Sequence, residues 1–274
     1  MYLTIDIGGT KTFIALFDAR GRILKSDKFP TDHDLDTFLN TFFEHLKPFS
    51  NTSPVNIAIA VAGVVKNNRP VWFGNLPWQN PPLEKPLKNL FTCPIYFLND
   101  ADSAAFYEAN FYSGKTIYLT FSTGIGGGIA SRDNKVVRLD PASSDFEPGH
   151  KKYDFEGKNL EWEDFAAASS IRKAYGDRKV TSLKEKSAFL DIALRVALGL
   201  VDIINEYRPD TIVFGGPLAL IFRKWRLPLK IVLKNILNDK KLPKLRRAKK
   251  PDLCVSYGAY YYGVQKASEE PSRV

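Results

Sequence analysis

The chain opens on an apolar run at 2–7, breaks at a glycine turn, and resumes apolar at 12–17 (TFIALF), so these two segments read as a hairpin. A second turn at 18–22 and a further run at 23–29 complete a three-stranded meander. Leu35, Phe38, Leu39, Phe42, Phe43 and Leu46 then recur at helical spacing behind Asp34, which predicts a capped helix over 35–46 lying on that sheet. Residues 55–61 (VNIAIAV) are almost continuously apolar, the pattern of a central strand buried on both faces, and the run stops at Ala62 and Gly63. A stretch rich in Pro and Asn, 66–86, reads as a loop. A short strand comes next at 95–98, with Asn99 and Asp100 at its carboxyl end and a helix expected over 101–111.

The second half repeats the opening theme. A strand is predicted at 116–121, a glycine turn at 122–128 (STGIGGG) and a return strand at 128–131, and two β-turn-β units of this kind in one chain imply duplicated halves. Helices are predicted over 162–175 and 183–207, then a buried strand at 211–214 ending in Gly215 and Gly216, a closing helix at 256–266 and a frayed tail at 268–274. No Pro- or Ser-rich linker divides the halves, so packed hinge segments are expected between a small lobe, 1–112 joined by the C-terminal helix 257–274, and a large lobe, 113–256.

Composition narrows the class. With 274 residues, 44% of them hydrophobic and 25% charged, the chain can fill one large domain or two modest ones. Cys93 and Cys254 stand far apart without metal-ligand neighbours, which argues against a disulfide framework or a zinc site and for a reducing cytoplasm. The N-terminus lacks the basic and apolar regions of a signal peptide, and the apolar stretch 192–204 is interrupted by Arg195 and Asp202, short of the roughly 18 apolar residues of a membrane span. No membrane partner is therefore expected. Part of the net charge of +9 sits in KKLPKLRRAKK at 240–250, where no aromatic residue interleaves, so the segment reads as a solvated loop or helix flank rather than a nucleic-acid platform.

Candidate chemistry begins at Asp6-Ile7-Gly8-Gly9-Thr10. Glycines at a strand end let backbone N–H groups approach phosphate oxygens, Thr10 and Lys11 add donors, and Asp6 is placed to hold Mg²⁺ directly or through water. Taken alone, the same residues equally describe a tight hairpin. The second turn, with Thr123, Gly124, Gly126, Gly127 and Gly128, makes a clamp on a nucleotide the better reading. Neither turn matches GxxxxGK[ST], and neither leads directly into a helix. Gly215 and Gly216 end a third strand in a way that would let an adenine ring slide against backbone.

These segments in this order, DIGGTKT at 6, AVAGVV at 60, NLPW at 75, LNDADSAA at 98, STGIGGGI at 122, EPGH at 147, WEDFAAASSI at 162 and PDTIVFGGPLA at 209, resemble the ROK family of sugar kinases and repressors over nearly the whole chain. The resemblance implies an α/β, two-lobed, actin-like (ribonuclease H-like) fold with duplicated mixed β-sheets and the nucleotide and sugar in the cleft. It implies ATP and Mg²⁺ as cofactors, Asp100 as catalytic base, and Gly63, Asn75, Asn99, Glu147, His150 and Glu163 around the sugar. Asp100 could otherwise cap the following helix, a task for which Asn99 or Asp102 also serves. One departure stands out: the family's cysteine-rich zinc loop, CxCGxxGCxE, is replaced by KKYDFEGKNLE at 151–161, so no structural zinc is expected, packing of Tyr153, Phe155 and Trp162 should hold the loop, and His150 should be free to face the sugar.

The expected activity is that of an ATP-dependent hexose kinase, with the 6-hydroxyl of glucose as acceptor and a homodimer by family analogy. N-acetylglucosamine, N-acetylmannosamine and fructose are alternative acceptors, and polyphosphate an alternative donor. A sugar-responsive repressor would need a DNA-binding domain ahead of the phosphate turn, which begins here at residue 6. A catalytically inactive sugar sensor is the remaining alternative of another class.

Overall fold

The computed structural model describes residues 1–238 and 241–269. In chain order the elements are β1 (Tyr2–Ile7), β2 (Lys11–Phe17), β3 (Ile23–Pro30), α1 (Leu35–Leu46), β4 (Ile57–Val61), β5 (Gly63–Lys66), β6 (Arg69–Phe73), α2 (Glu84–Lys88), β7 (Ile95–Asn99) and α3 (Asp100–Ala109). Then come β8 (Gly114–Phe121), β9 (Ile125–Asp133), β10 (Val136–Leu139), β11 (Lys152–Phe155), β12 (Lys158–Glu161), α4 (Trp162–Ala166), α5 (Ala168–Ala174) and α6 (Lys186–Tyr207). The chain continues through β13 (Thr211–Gly215), α7 (Gly216–Leu220), α8 (Phe222–Ile236), β14 (Lys244–Arg247) and α9 (Cys254–Glu269). Two compact units result, one of Met1–Tyr107 with the chain from Asp252 onward, the other Glu108–Pro251.

In the first unit the five strands run in the order β3-β2-β1-β4-β7, with β1 antiparallel to β2 and parallel to β4, and β4 parallel to β7. Every residue of β4 is buried, as its unbroken apolar pattern requires. The parallel register sets Ile7 against Val61 and Val61 against Asn99, so three strands end at one edge and deliver the first glycine turn, Gly63 and Asn99 to it. Helix α1 buries Phe38, Phe42 and Leu46 and is capped by Asp34, whose Oδ1 accepts from Thr37 N–H at 2.9 Å. Helix α9 packs through Tyr260, stacked on Phe17 with ring centres 4.8 Å apart, and Asn56 Nδ2 donates to the Gly263 carbonyl at 2.7 Å. The stretch 66–86 is not the loop its prolines and asparagines suggest. Strands β5 and β6 form a hairpin through Asn67 and Asn68, both in the left-handed region (φ 50° and 58°), a conformation Asn tolerates. The hairpin leads to Trp78, buried beside Phe38 and Phe73.

The second unit repeats the plan. Its strands run β10-β9-β8-β13-β14, two antiparallel pairings followed by two parallel ones, so both expected mixed sheets are present, each of five strands. Its core gathers Phe121, Trp162, Phe214 and Trp225 with the buried side of α6. Several boundaries differ from expectation. The glycines at 126–128 lie in β9 rather than in the turn, which is confined to 122–124. The helix read over 162–175 breaks at Ala167, whose extended backbone (ψ 154°) ends α4 before α5 starts. Residues 183–185 precede α6, and α8 escaped the periodicity because Pro228 stands inside it. The basic segment 240–250 is corrected too: Lys244–Arg247 pairs parallel with β13, Leu245 is buried, and charge lines an edge strand, where it discourages pairing with other chains. Lys240 and the part of the expected tail beyond Glu269 lie outside the described residues. No helix among the described residues is long and apolar enough to cross a membrane.

Candidate active site

At the carboxyl edge of the first sheet, Gly8 N–H donates to the Lys11 carbonyl at 3.1 Å and Thr31 N–H to the Thr10 carbonyl at 3.1 Å, which closes the turn and ties it to the chain after β3. A side chain at position 9 would meet Asn75 Cβ at 2.8 Å, so glycine there is what lets Asn75 lie directly against the turn. Asp6 stands at the end of β1, and its carboxyl is pushed up to about 7, first by loss of water and then by repulsion from Asp100. Lys11 and Lys28 oppose that rise. The two lysines also crowd one another, which lowers the Lys28 ammonium below its ordinary value. Lys28 was not read from the sequence; the signal for it is cross-strand register, since Lys28 pairs with Phe13, two residues from Lys11.

Asn99 joins several of these parts. Its Nδ2 donates to the Gly63 carbonyl at 2.9 Å, while Oδ1 accepts from Ala101 N–H at 2.7 Å and Asp102 N–H at 3.1 Å. Asn99 thus carries the capping of α3 that was the alternative task for Asp100. Asp100 Oδ1 accepts from Ala101 N–H at 2.8 Å, which orients its carboxylate beside Asp6. At position 63 a Cβ would lie 2.0 Å from the Trp72 carbonyl, so Gly63 has a packing reason for its identity in the β5–β6 hairpin.

In the second unit the turn between β8 and β9 is closed by Ser122 N–H on the Gly124 carbonyl at 2.9 Å and held by Ser169, whose N–H donates to the Ser122 carbonyl at 3.1 Å. Thr123 is exposed at its tip. Glu163, from α4, is built into this turn: Oε2 accepts from Ile125 N–H at 3.1 Å, and Cβ atoms at positions 124 and 149 would meet the same oxygen at 2.5 and 2.7 Å. Gly126 pairs with Thr120 along β8, and Gly127 leaves room for Phe146 and Pro148, which bring Glu147, Gly149 and His150 onto β9. The Glu147 carboxyl is raised by loss of water and by Glu163, against the pull of His150. Gly215 meets Tyr118 across β8, and Gly216 adopts φ 69° against the Phe121 carbonyl, so packing and backbone geometry both call for glycine there.

His150 is not free in the way its sequence suggested. Its Nδ1–H donates to Glu161 Oε2 at 2.9 Å, and this bond, with Glu163 and Glu147 nearby, raises the ring above the usual histidine range. Suitable atoms of His150, Glu161 and Glu163 lie within 4.8 Å of one another. The loop 151–161 folds as the β11–β12 hairpin. Phe155 stacks on Phe165 at 4.3 Å with the rings 3° from parallel, Arg195 covers Phe155 at 4.8 Å, and Tyr153 Oη donates to Asp202 at 3.0 Å. Trp162, fully buried, donates from Nε1 to the Arg195 carbonyl at 3.0 Å. The expected packing of Tyr153, Phe155 and Trp162 is therefore present.

Two mixed sheets of one strand order, each with a glycine hairpin at its edge, define the two-lobed actin-like ATPase fold. A solved ROK family glucokinase from Streptomyces griseus, in complex with glucose and AMPPNP, superposes with a TM-score of 0.75 over 96% of this chain and 99% of that one, at 21% identity. Residues 2–241 match the sequence profile of the ROK family, and the chain belongs to that family. Among curated relatives, a fructokinase of Zymomonas mobilis is 30% identical over 245 residues, 79% of each chain. A glucokinase of Streptomyces coelicolor is 33% identical over 132 residues, 46% of this chain and 42% of that protein. A xylose repressor of Bacillus spizizenii is 25% identical over 190 residues, 61% of this chain and 49% of its own length.

Proposed function

We propose that the chain transfers the terminal phosphoryl group of ATP to a hexose, with the 6-hydroxyl of glucose as acceptor. The observation that carries this reading is the pairing of Asp6 and Asp100 beside the first glycine turn, where burial and then repulsion from Asp100 push Asp6 up to about 7. Two carboxylates that resist joint ionisation suit a division of labour between a cation ligand and a base. The donor set fits Mg²⁺, which Asp6 would hold directly or through water and which would supply charge neutralisation on the transferring phosphate.

In the first unit the backbone amides of Gly9, half-buried, and of Thr10, exposed, with Gly8 opening the turn and Lys11 beside it, are assigned to phosphate oxygens. Asp100 is assigned as the base that accepts the proton of the attacking hydroxyl. Gly63, Asn75 and Asn99 are assigned to the sugar, Asn99 through the Nδ2 proton left after its bond to Gly63. In the second unit Thr123, Gly124 and Gly126 are assigned to the nucleotide phosphates, Gly215 and Gly216 to the adenine, and Glu147, His150 and Glu163 to sugar hydroxyls. A second acceptor, fructose, is favoured by the likeness to a fructokinase that aligns over 79% of this chain at 30% identity, and a regulatory role by the likeness to a repressor.

A coupled ADP-release assay over glucose, mannose, fructose, allose, N-acetylglucosamine and N-acetylmannosamine, with ATP or polyphosphate as donor, tests the reading. Sugar-dependent turnover with ATP that Asp100→Asn abolishes is the expected result. No stimulation by any sugar, or an unchanged Asp100→Asn, would overturn it.

A further inference from the structure

We propose that Glu161 is a positioning residue for sugar recognition: by accepting the Nδ1 proton of His150 it leaves Nε2 of the neutral ring as the acceptor for a sugar hydroxyl. The inference rests on the reading of His150 as a sugar contact. A neutral imidazole has one donor and one acceptor nitrogen, so a partner that can only accept on one side dictates the role of the other. The Glu161 carboxylate is such a partner at 2.9 Å. With 54% of the His150 side chain exposed, water alone would leave both tautomers and several ring orientations open.

Glu161 can impose one arrangement because it is itself anchored. It ends β12 opposite Lys152, and the next residue, Trp162, donates its N–H to the Lys151 carbonyl at 2.8 Å, which keeps the chain after His150 alongside. It is also the N-cap of α4 in a reciprocal box: its side chain accepts from Asp164 N–H, and Asp164 Oδ2 accepts from Glu161 N–H at 3.0 Å. Two residues on, Glu163 has one oxygen taken by Ile125 N–H. At the head of α4, Glu163 and Glu161 therefore do different things, the first presenting its carboxylate at the glycine turn and the second fixing the ring of His150. A neighbour of this type is how proteins commonly orient a histidine that must present one nitrogen.

The test separates the cap from the histidine contact. Glu161→Ser keeps a good N-cap but is too short to reach His150, whereas Glu161→Gln keeps the length but carries an amide that can donate to Nδ1 as well as accept from it. The chain has three histidines, so ¹⁵N NMR can follow the His150 ring at a pH above its titration. Wild type should show the Nδ1–H tautomer, and Glu161→Ser and Glu161→Gln a mixture. Loss of a hydrogen bond to a charged partner scales to roughly tenfold, so at that same pH Glu161→Ser should raise KM for the preferred hexose about tenfold with kcat changed less than about threefold. Glu161→Gln, which keeps a contact to the ring without dictating its tautomer, should raise KM by less than Glu161→Ser. An active wild type with an unchanged tautomer or unchanged KM in Glu161→Ser would overturn the proposal. So would a loss of sugar binding, measured without nucleotide, that a chelator causes and zinc restores, because a metal would then hold the ring. A wild type that turns over no hexose would instead sink the kinase reading, and the sugar role of Glu161 with it.

Discussion

Replacing Asp6 by Asn should stabilise the metal-free protein at neutral and alkaline pH while abolishing turnover. In the folded chain the Asp6 carboxyl titrates near 7, against an ordinary value of 3.8, because burial and Asp100 both disfavour its charge. The folded state therefore holds a proton that the unfolded chain releases between about pH 4 and 7, and the free energy of unfolding falls as pH rises through that window. Below it the group is protonated in both states and costs nothing; above it the penalty is complete. About three pKa units correspond to roughly 4 kcal/mol, and since Asp6 keeps part of its surface in contact with water, about half of that is the realistic cost.

Asn has the same shape without the charge. Urea titrations at pH 4 should find the variant and wild type within about 0.5 kcal/mol, and at pH 8 the variant should be more stable by about 2 kcal/mol. Coupled assays on the same preparations should show loss of ATP-dependent turnover, because the proposed cation ligand is gone. Magnesium nucleotide should protect wild type from urea at pH 8 and protect Asp6→Asn less, since ligand linkage follows affinity. A destabilised Asp6→Asn at pH 8, or a stability difference that does not change with pH, would refute the electrostatic account of this edge.

Three further outcomes can be measured directly. Asp100→Asn should lower kcat by about 10²- to 10⁴-fold, the usual share of a general base, with sugar affinity measured calorimetrically changing far less. Gly124→Ala places a methyl group 2.5 Å from Glu163 Oε2, so the carboxylate must move; KM for sugar should rise about tenfold or more while circular dichroism stays native. Trp225→Ala removes a fully buried ring and its bond to the Leu218 carbonyl at 3.1 Å, and should cost about 3–5 kcal/mol in denaturant unfolding without a selective effect on KM.

Features written within a few consecutive residues were legible before the structure. The unbroken apolar run of β4, the helical spacing of α1 behind Asp34, and both glycine turns each carry their own periodicity or turn chemistry. The β5–β6 hairpin was missed because asparagines that serve a left-handed turn look like loop composition. Ala167 breaks a helical pattern that its neighbours continue, and Pro228 hid α8 behind a residue usually taken to end a helix. The basic run at 240–250 looked solvated because its charges dominate its composition, yet one buried leucine and the backbone pairing of Lys244–Arg247 with β13 make it an edge strand.

The sequence by itself determined the strands flanking the two glycine turns, the main helices, the duplication of the halves and the residue types of the candidate site, since these depend on patterns local to each segment and on the order of recognisable motifs. Only the tertiary structure decided which groups meet. Asp6 and Asp100 are neighbours because three parallel strands end in register, Lys28 reaches the first glycine turn through cross-strand pairing, and His150 finds Glu161 because a hairpin folds the chain back between them. Those meetings alter charge, tautomer and hydrogen-bonding capacity, which are properties of distance and burial rather than of any residue read alone.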